Sequence, residues 1–334
     1  MKEKVSIIGA GSWGTTLGVV LSKKGIPVEL HSVFKEHNLL MQKECSNRLF
    51  LKGVKFPAPL TINSSLKNTL KNQIIIIAIP VKFVREVLRK VKMSAPLHKN
   101  KIFVSVSKGI EVASLKRPSQ IIRQELGNVT IAVFSGPNIA KEVLRGVPST
   151  SVIACKDKSA AKRLQILFTT STLRVYLGSD IVGVELGGAL KNIIAIACGI
   201  ADGLGLGTNT KAALLTRGLV EITRLAKKMG AHPQTLWGLT GLGDLTTTCF
   251  SPHSRNRFVG EQIGKGKKVS GVVETMKMVA EGLETVKSAY KLSRKLGVEM
   301  PITREVYNVL YKNKFPKEAV IDLMKRPLKA EKIG

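Results

Sequence analysis

The sequence predicts an α/β protein, with a doubly wound sheet over residues 1–179 followed by an all-helical domain over residues 180–334. Three observations predict it. A strand, a glycine-rich turn, a helix and a second strand follow one another within the first thirty residues. Short, nearly continuous apolar runs of the kind buried in parallel sheets recur through the first half. Beyond about Ser179 the strand signals stop and only helical spacing remains.

Lys4–Ile8 is a β-branched run, and Gly9-Ala10-Gly11-Ser12-Trp13-Gly14 follows it directly. The next apolar residues, Thr16, Leu17, Val20 and Leu21, keep helical spacing as far as Gly25, and Ile26–Leu30 reads as the second strand. This is the context in which Gly-x-Gly-x-x-Gly carries meaning as a Rossmann-type, dinucleotide-binding turn. Gly9 permits the tight turn, Gly11 lets backbone approach a pyrophosphate, and Gly14 allows close packing, while the free N–H groups of the helix favour the anion. After the second strand the chain reads His31-Ser32-Val33-Phe34-Lys35, with no carboxylate before Glu36. Without an acid for the ribose 2′-hydroxyl, and with Lys35 beside it, either NAD or NADP is expected as cofactor.

Gln73–Ile79, Lys101–Val106 and Thr130–Phe134 are further strands. They lead into Pro80, Ser107-Lys108-Gly109 and Gly136-Pro137-Asn138. Ligands of doubly wound sheets bind beyond the carboxyl ends of the strands, so Lys108 and Asn138 are placed on the ligand side. Asn138 is expected to cap a helix Ile139–Leu144.

The second half reads as helices over 181–200, 210–229, 255–264, 272–277, 280–296, 302–312 and 316–325, with Gly230, Gly264 and Gly297 as stops. The active site is expected in the cleft between the two domains. Lys191 and Asn192 interrupt the apolar helix Gly187–Ile200. Steps of three and four residues place Gly183, Gly187, Ile194 and Cys198 on the lysine's face, so a hollow is expected beside the ammonium group. Removed from water, such a lysine has a lowered pKa and can exchange a proton with a substrate oxygen. A buried structural ion pair with Glu185 or Asp202 is the other reading, and spacing leaves open which of Glu185, Asp202 and Asp244 tunes it. Gly238–Leu245 reads as a glycine-rich turn that delivers Asp244, with Thr248 one helical turn later. Ser254-Arg255-Asn256 then supplies a guanidinium suited to a phosphate and two hydrogen-bonding side chains. Arg217 reads as a structural or subunit-contact residue.

Composition excludes several classes. Of 334 residues, 44% are hydrophobic and 23% charged, which points to a packed globular chain. Ile74–Ile79 is the most hydrophobic short run and is too short to span a bilayer, so no integral membrane segment is expected. The amino terminus leaves no room for a signal peptide. Four cysteines without a Cys-x-x-Cys pair argue against a zinc site and fit a cytoplasmic location. The formal net charge of +30 raises nucleic acid as a partner, but the basic residues are dispersed and aromatics make up only 5%. A lysine-rich solvated surface is the preferred reading. The same positive field would attract a small anionic substrate.

Taken in order, the motifs resemble one family, the NAD(P)-dependent glycerol-3-phosphate dehydrogenases. Gly-Ala-Gly-Ser-Trp-Gly (9–14), Ser-Lys-Gly-Ile-Glu (107–111), Ser-Gly-Pro-Asn-Ile-Ala-Lys-Glu-Val (135–143) and Leu-Lys-Asn-Ile-Ile-Ala-Ile (190–196) stand in the family's order. Gly-Leu-Gly-Asp-Leu (241–245), Ser-Arg-Asn (254–256), Val-Ala-Glu-Gly (279–282) and Met-Pro-Ile-Thr (300–303) complete the series. The resemblance implies reversible reduction of dihydroxyacetone phosphate, a phosphorylated triose, to sn-glycerol 3-phosphate for glycerophospholipid synthesis. Lys191 would exchange the proton at the C2 oxygen, with Lys108 beside it. Asn192, Asp244 and Thr248 would orient the substrate, Arg255 and Asn256 would hold its phosphate, and Gly136, Asn138 and Ser254 would complete the substrate site. Ser12, Trp13, Lys108, Ala140, Arg255, Val279 and Glu281 would line the cofactor site, beside the Gly9, Gly11, Gly14 and Lys35 already read from the turn and the loop after the second strand. A homodimer is expected. The chain departs from the family at Asn138, where Ser or Thr is usual, and at Val33 and Phe34, where His or Arg is frequent. A β-hydroxyacid or 6-phosphogluconate type dehydrogenase is the alternative with the same architecture. A basic nucleic-acid-binding protein without catalysis is the alternative of another class.

Overall fold

The computed structural model describes residues 3–94, 100–274, 276, 280–328 and 330–331. The chain forms two compact units, one of Met1–Ser107 with Pro118–Ile181 and one of Lys108–Arg117 with Val182–Gly334. The short segment 108–117 thus leaves the sheet unit and packs with the helices.

In the sheet unit the elements are β1 (Val5–Ile8), α1 (Ser12–Lys23), β2 (Val28–His31), α2 (Lys35–Glu44), β3 (Leu60–Ile62), α3 (Leu66–Thr69), β4 (Ile74–Ile77) and α4 (Val81–Ser94). They continue as β5 (Ile102–Ser105), α5 (Pro118–Leu126), β6 (Thr130–Ser135), α6 (Ala140–Leu144), β7 (Ser149–Cys155), α7 (Lys158–Phe168) and β8 (Leu173–Gly178). The strands form one sheet in the order β3-β2-β1-β4-β5-β6-β7-β8. All neighbours are parallel except β6 and β7. Alternate residues explain the unbroken apolar runs. Ile74 and Ile76 enter the core on one face of the sheet, while Ile75 and Ile77 enter the core on the other. β1 pairs with β2 on one side and β4 on the other, so the strand order reverses at β1. That reversal is the position where an α/β sheet opens a crevice for a ligand.

Three strands, β3, β7 and β8, were not expected from the sequence. β7 and β8 extend the sheet past β6 through the antiparallel β6–β7 pairing, with Ser135 opposite Val152.

In the helical unit the elements are α8 (Ile181–Gly203), α9 (Thr208–Lys228), α10 (Pro233–Trp237), a π-turn (Leu239–Gly243) and α11 (Asp244–Phe250). α12 (Arg255–Gly264), α13 (Val269–Glu274), α14 (Glu281–Leu296), α15 (Pro301–Tyr311) and α16 (Pro316–Met324) follow. α8 is buried at every position from Gly183 to Ala201. It is long and apolar enough to cross a membrane, but 89% of its most hydrophobic window lies inside the fold. Ile193 and Ile194, 0% and 1% exposed, each contribute about 2 kcal/mol by leaving water. α12 crosses α8 at backbone contact. A Cβ on Gly199 would lie 2.0 Å from the Arg257 carbonyl oxygen, and one on Gly260 would lie 2.1 Å from that of Ile196. Gly264, expected as a helix stop, belongs to the same crossing, where a Cβ would meet the Ile200 oxygen at 2.4 Å. α12 does end at Gly264, and the chain turns two residues later at Gly266, with φ +88°.

Candidate active site

Within the sheet unit the glycine-rich turn behaves as three distinct positions. Gly9 has φ +116°, and a Cβ there would stand 2.3 Å from the Ala78 carbonyl oxygen at the end of β4. A Cβ on Gly14 would stand 2.0 Å from the Gly9 oxygen, so this glycine packs helix against turn. Among the described residues, nothing lies within 4 Å of a Cβ placed on Gly11. Gly11 is the N-cap of α1, its backbone is extended, and the first turn of the helix carries no acid. Open space next to uncapped N–H groups at a helix start fits a pyrophosphate. Ser12 and Trp13 open the same helix. Trp13 stacks on Phe134 with 6.3 Å between ring centroids, and its buried Nε1 has no hydrogen-bond partner among the described residues. At the far end of β2, Glu29 is taken by Lys4 at 2.6 Å. Val33, Phe34, Lys35 and Glu36 are all exposed, with Lys35 the first residue of α2.

Gly136 and Asn138 follow β6. Gly136 has φ +150°, and a Cβ there would meet the Ser151 Cα at 2.8 Å, so β7 excludes any other residue. Asn138 does not cap α6 as expected. The N-cap is Ile139, without a side-chain bond, and Ala140 is the first helical residue. The Asn138 amide instead donates to Ser151 Oγ at 2.7 Å, a partner that exists only because β7 lies alongside β6.

The helical unit holds the chemistry-bearing cluster. Lys191 is 6% exposed and Asp244 1% exposed. The Lys191 ammonium donates to Asp244 Oδ1 and, at 2.7 Å, to Thr248 Oγ1. Lys108 donates to the other carboxylate oxygen, Asp244 Oδ2, at 2.7 Å. Thr248 passes its own hydrogen to the Asp244 carbonyl at 2.6 Å, which leaves a lone pair for the lysine. An ammonium group has three donors, and among the described residues no acceptor takes the third. Asp244 starts α11, where the helix dipole favours its charge. Two cations share one anion, so the cluster carries an excess positive charge suited to an anionic ligand.

These contacts decide between the partners left open by spacing. Glu185 is taken by Arg117 in a buried pair, and Asp202 by Arg257 and Lys211, each at 2.7 Å. Asp244 is the carboxylate on Lys191. Burial pushes the Lys191 ammonium from its ordinary 10.5 down to about 8. Asp244 opposes the shift and Lys108 adds to it. The hollow expected beside Gly187 is filled. A Cβ there would stand 2.4 Å from the Thr240 carbonyl oxygen, so the glycine admits the π-turn that delivers Asp244 rather than a ligand. That turn is closed by a bond from Gly243 N–H to the Gly238 carbonyl at 3.1 Å.

Asn192, 4% exposed, is oriented through two steps. The Gly282 N–H donates to Asn256 Oδ1 at 3.0 Å, and Asn256 Nδ2 donates to Asn192 Oδ1 at 2.9 Å. A backbone N–H can only donate, so the polarity of both amides is fixed and Asn192 keeps its Nδ2 donors for a ligand. Ser254 caps α12 by accepting from Arg257 N–H at 3.2 Å. Arg255, the first residue of that helix, is exposed. Glu281 starts α14, and burial pushes its carboxyl up to about 7, against the pull of Arg255, Lys108 and Lys191. Val279 lies outside the described residues. Sequence reasoning missed the role of Arg117 on Glu185, because nothing in the spacing links a loop residue to a helix 68 positions away.

Residues 4–161 match the family model described as NAD-dependent glycerol-3-phosphate dehydrogenase N-terminus, and residues 180–321 match the one described as the C-terminus. The chain is 48% identical over 336 residues to a glycerol-3-phosphate dehydrogenase (NAD(P)+) of Citrifermentans bemidjiense, covering 99% of each. It is 45% identical to the protein of the same name from Geobacter sulfurreducens, covering 99% of this chain and all of the relative. Among solved structures, a glycerol-3-phosphate dehydrogenase of Coxiella burnetii superposes with a TM-score of 0.94 at 37% identity, covering 97% of this chain and 99% of that one.

Proposed function

The chain belongs to the NAD-dependent glycerol-3-phosphate dehydrogenase family, and from that premise we propose how its residues divide the work. It is an NAD(P)-dependent oxidoreductase that interconverts dihydroxyacetone phosphate and sn-glycerol 3-phosphate. The bound nicotinamide supplies or accepts the hydride. The protein supplies the proton and the charge. Lys191, held by Asp244 and Thr248, directs its third N–H at the C2 oxygen and donates the proton as the ketone becomes an alcohol. In the reverse direction the neutral amine takes that proton back. The ammonium also stabilises the developing alkoxide before transfer. Lys108 holds the second oxygen of Asp244 and, by its charge, helps keep Lys191 near neutrality. Asn192 donates to a substrate oxygen, and Arg255 binds the phosphate with its planar fork. Gly9, Gly11, Ser12, Trp13 and Gly14 hold the dinucleotide, with Ala140 and Glu281 as further contacts.

The observation that carries this reading is the buried Lys191 ammonium, anchored by two acceptors and lowered to about 8. The absence of a carboxylate between His31 and Lys35 supports use of both NADH and NADPH. Exposed Trp237, Phe250 and Phe258 on the helical unit support a homodimer, which sedimentation as a monomer would exclude. The product suits glycerophospholipid synthesis, and the free thiols Cys45, Cys155, Cys198 and Cys249 support a cytoplasmic location. The test is oxidation of NADH and of NADPH with dihydroxyacetone phosphate against a panel of small ketoacids. Turnover with the phosphorylated triose from both cofactors is expected. Turnover with the ketoacids alone, and none with dihydroxyacetone phosphate, would overturn the assignment.

A further inference from the structure

In the sheet unit a buried chain of polar groups joins the glycine-rich turn to the loop after β2, and the mechanism above uses none of them. Asn47, 1% exposed, donates from Nδ2 to the Ala10 carbonyl and to Thr15 Oγ1, both at 2.8 Å. Its Oδ1 lies 3.1 Å from His37 Nε2 and accepts from the Phe50 N–H at 3.3 Å. His37, 7% exposed, has its other ring nitrogen 3.1 Å from Ser32 Oγ. Ser32 Oγ accepts from the Phe34 N–H at 3.2 Å. Asn38 clasps the same loop, accepting from the Ser32 N–H and donating to the Ser32 carbonyl, both at 2.8 Å.

The polarity of this chain is set at its ends. A carbonyl only accepts, so the Asn47 nitrogen faces Ala10 and its oxygen faces His37. His37 then carries its hydrogen on Nε2, and Nδ1 accepts from the Ser32 hydroxyl. The edge of Phe50 against the His37 ring, 5.4 Å between centroids, closes the remaining side. Buried networks with every member satisfied hold a single geometry. Ala10 and Thr15 belong to the turn suited to a pyrophosphate. Ser32 and Phe34 belong to the loop where a doubly wound sheet meets the adenosine ribose.

We propose that Asn47 and His37 are positioning residues for the dinucleotide, a strut that fixes the loop Ser32–Lys35 relative to the turn Gly9–Gly14. Resting on the reading of Gly9–Gly14 as the cofactor turn, it adds a specific consequence. A ligand that spans turn and loop depends on the strut, whereas one that occupies the turn alone does not. ADP-ribose is the first kind and inorganic pyrophosphate the second.

The test is calorimetric titration of the full-length protein with ADP-ribose, NADPH and inorganic pyrophosphate. His37→Leu fills the ring's space and cuts both hydrogen bonds. It is expected to raise the Kd of ADP-ribose and of NADPH by about 10-fold, and that of pyrophosphate by less than about 2-fold. Unchanged ADP-ribose binding by the folded variant, or an equal loss for pyrophosphate, would overturn the strut. Should His37→Leu not fold by circular dichroism, Ser32→Ala decides. It removes one hydroxyl, and a rise of about 3-fold for ADP-ribose alone is expected. No rise would overturn the proposal. A wild-type protein that binds neither ADP-ribose nor NADPH would instead refute the cofactor reading itself.

Discussion

Lys191 is a cation placed where water is excluded, and its behaviour is set by two neighbours of opposite sign. Asp244 holds the proton on, while burial and Lys108 push it off. In the reducing direction the charged lysine is the active form, so kcat/KM falls as pH rises through about 8. In the oxidising direction the neutral amine is needed, so the same limb rises. Lys108→Met removes a positive charge beside the lysine, which moves its pKa up. The reducing limb is therefore expected to shift to higher pH, as read from pH profiles of kcat/KM. A shift to lower pH, or none, would contradict the coupling. Lysine and aspartate were both legible in the sequence, from an ammonium in an apolar helix and an acid behind a glycine-rich turn. Their pairing was not, because Glu185, Asp202 and Asp244 all lay within plausible reach. Only the tertiary fold commits the first two to Arg117, Arg257 and Lys211.

At the scale of elements, the site depends on how closely α8 admits its neighbours. Gly187→Ala would drive a methyl group into the Thr240 carbonyl, 2.4 Å from the new Cβ, and displace the turn that carries Asp244. A loss of about 2 kcal/mol in unfolding free energy, together with a lower kcat, is expected. Gly271→Ala is the control. Among the described residues nothing lies within 4 Å of a Cβ placed there, and it sits in α13, so a gain of up to about 1 kcal/mol is expected. Equal effects of the two substitutions in chemical denaturation would refute the close-packing role. The sequence showed α8 clearly, because a long apolar helical run has few other readings. It misread the glycines as a hollow, since small residues signal close approach without naming what approaches. β7 escaped because it opens on Ser149-Thr150-Ser151 and so lacks the continuous apolar run of the other inner strands, and with it went the true partner of Asn138.

For the whole molecule, the formal charge of +30 is a property of the surface rather than of the fold. A phosphorylated triose and a dinucleotide are both anions, so the field should speed their encounter. Raising ionic strength from about 0.01 M to about 1 M shortens the screening length from about 30 Å to about 3 Å. kcat/KM for dihydroxyacetone phosphate is expected to fall across that range while kcat holds, and a flat kcat/KM would remove steering from the account. The composition showed the charge at once but not its target, and the ordered motifs supplied the anionic ligands. Proton transfer by Lys191 is tested most directly by the turnover of Lys191→Ala with and without added small primary amines. The expected result is a loss of about 100-fold in kcat that is restored in proportion to amine concentration. A folded Lys191→Ala protein with near-normal kcat would contradict it.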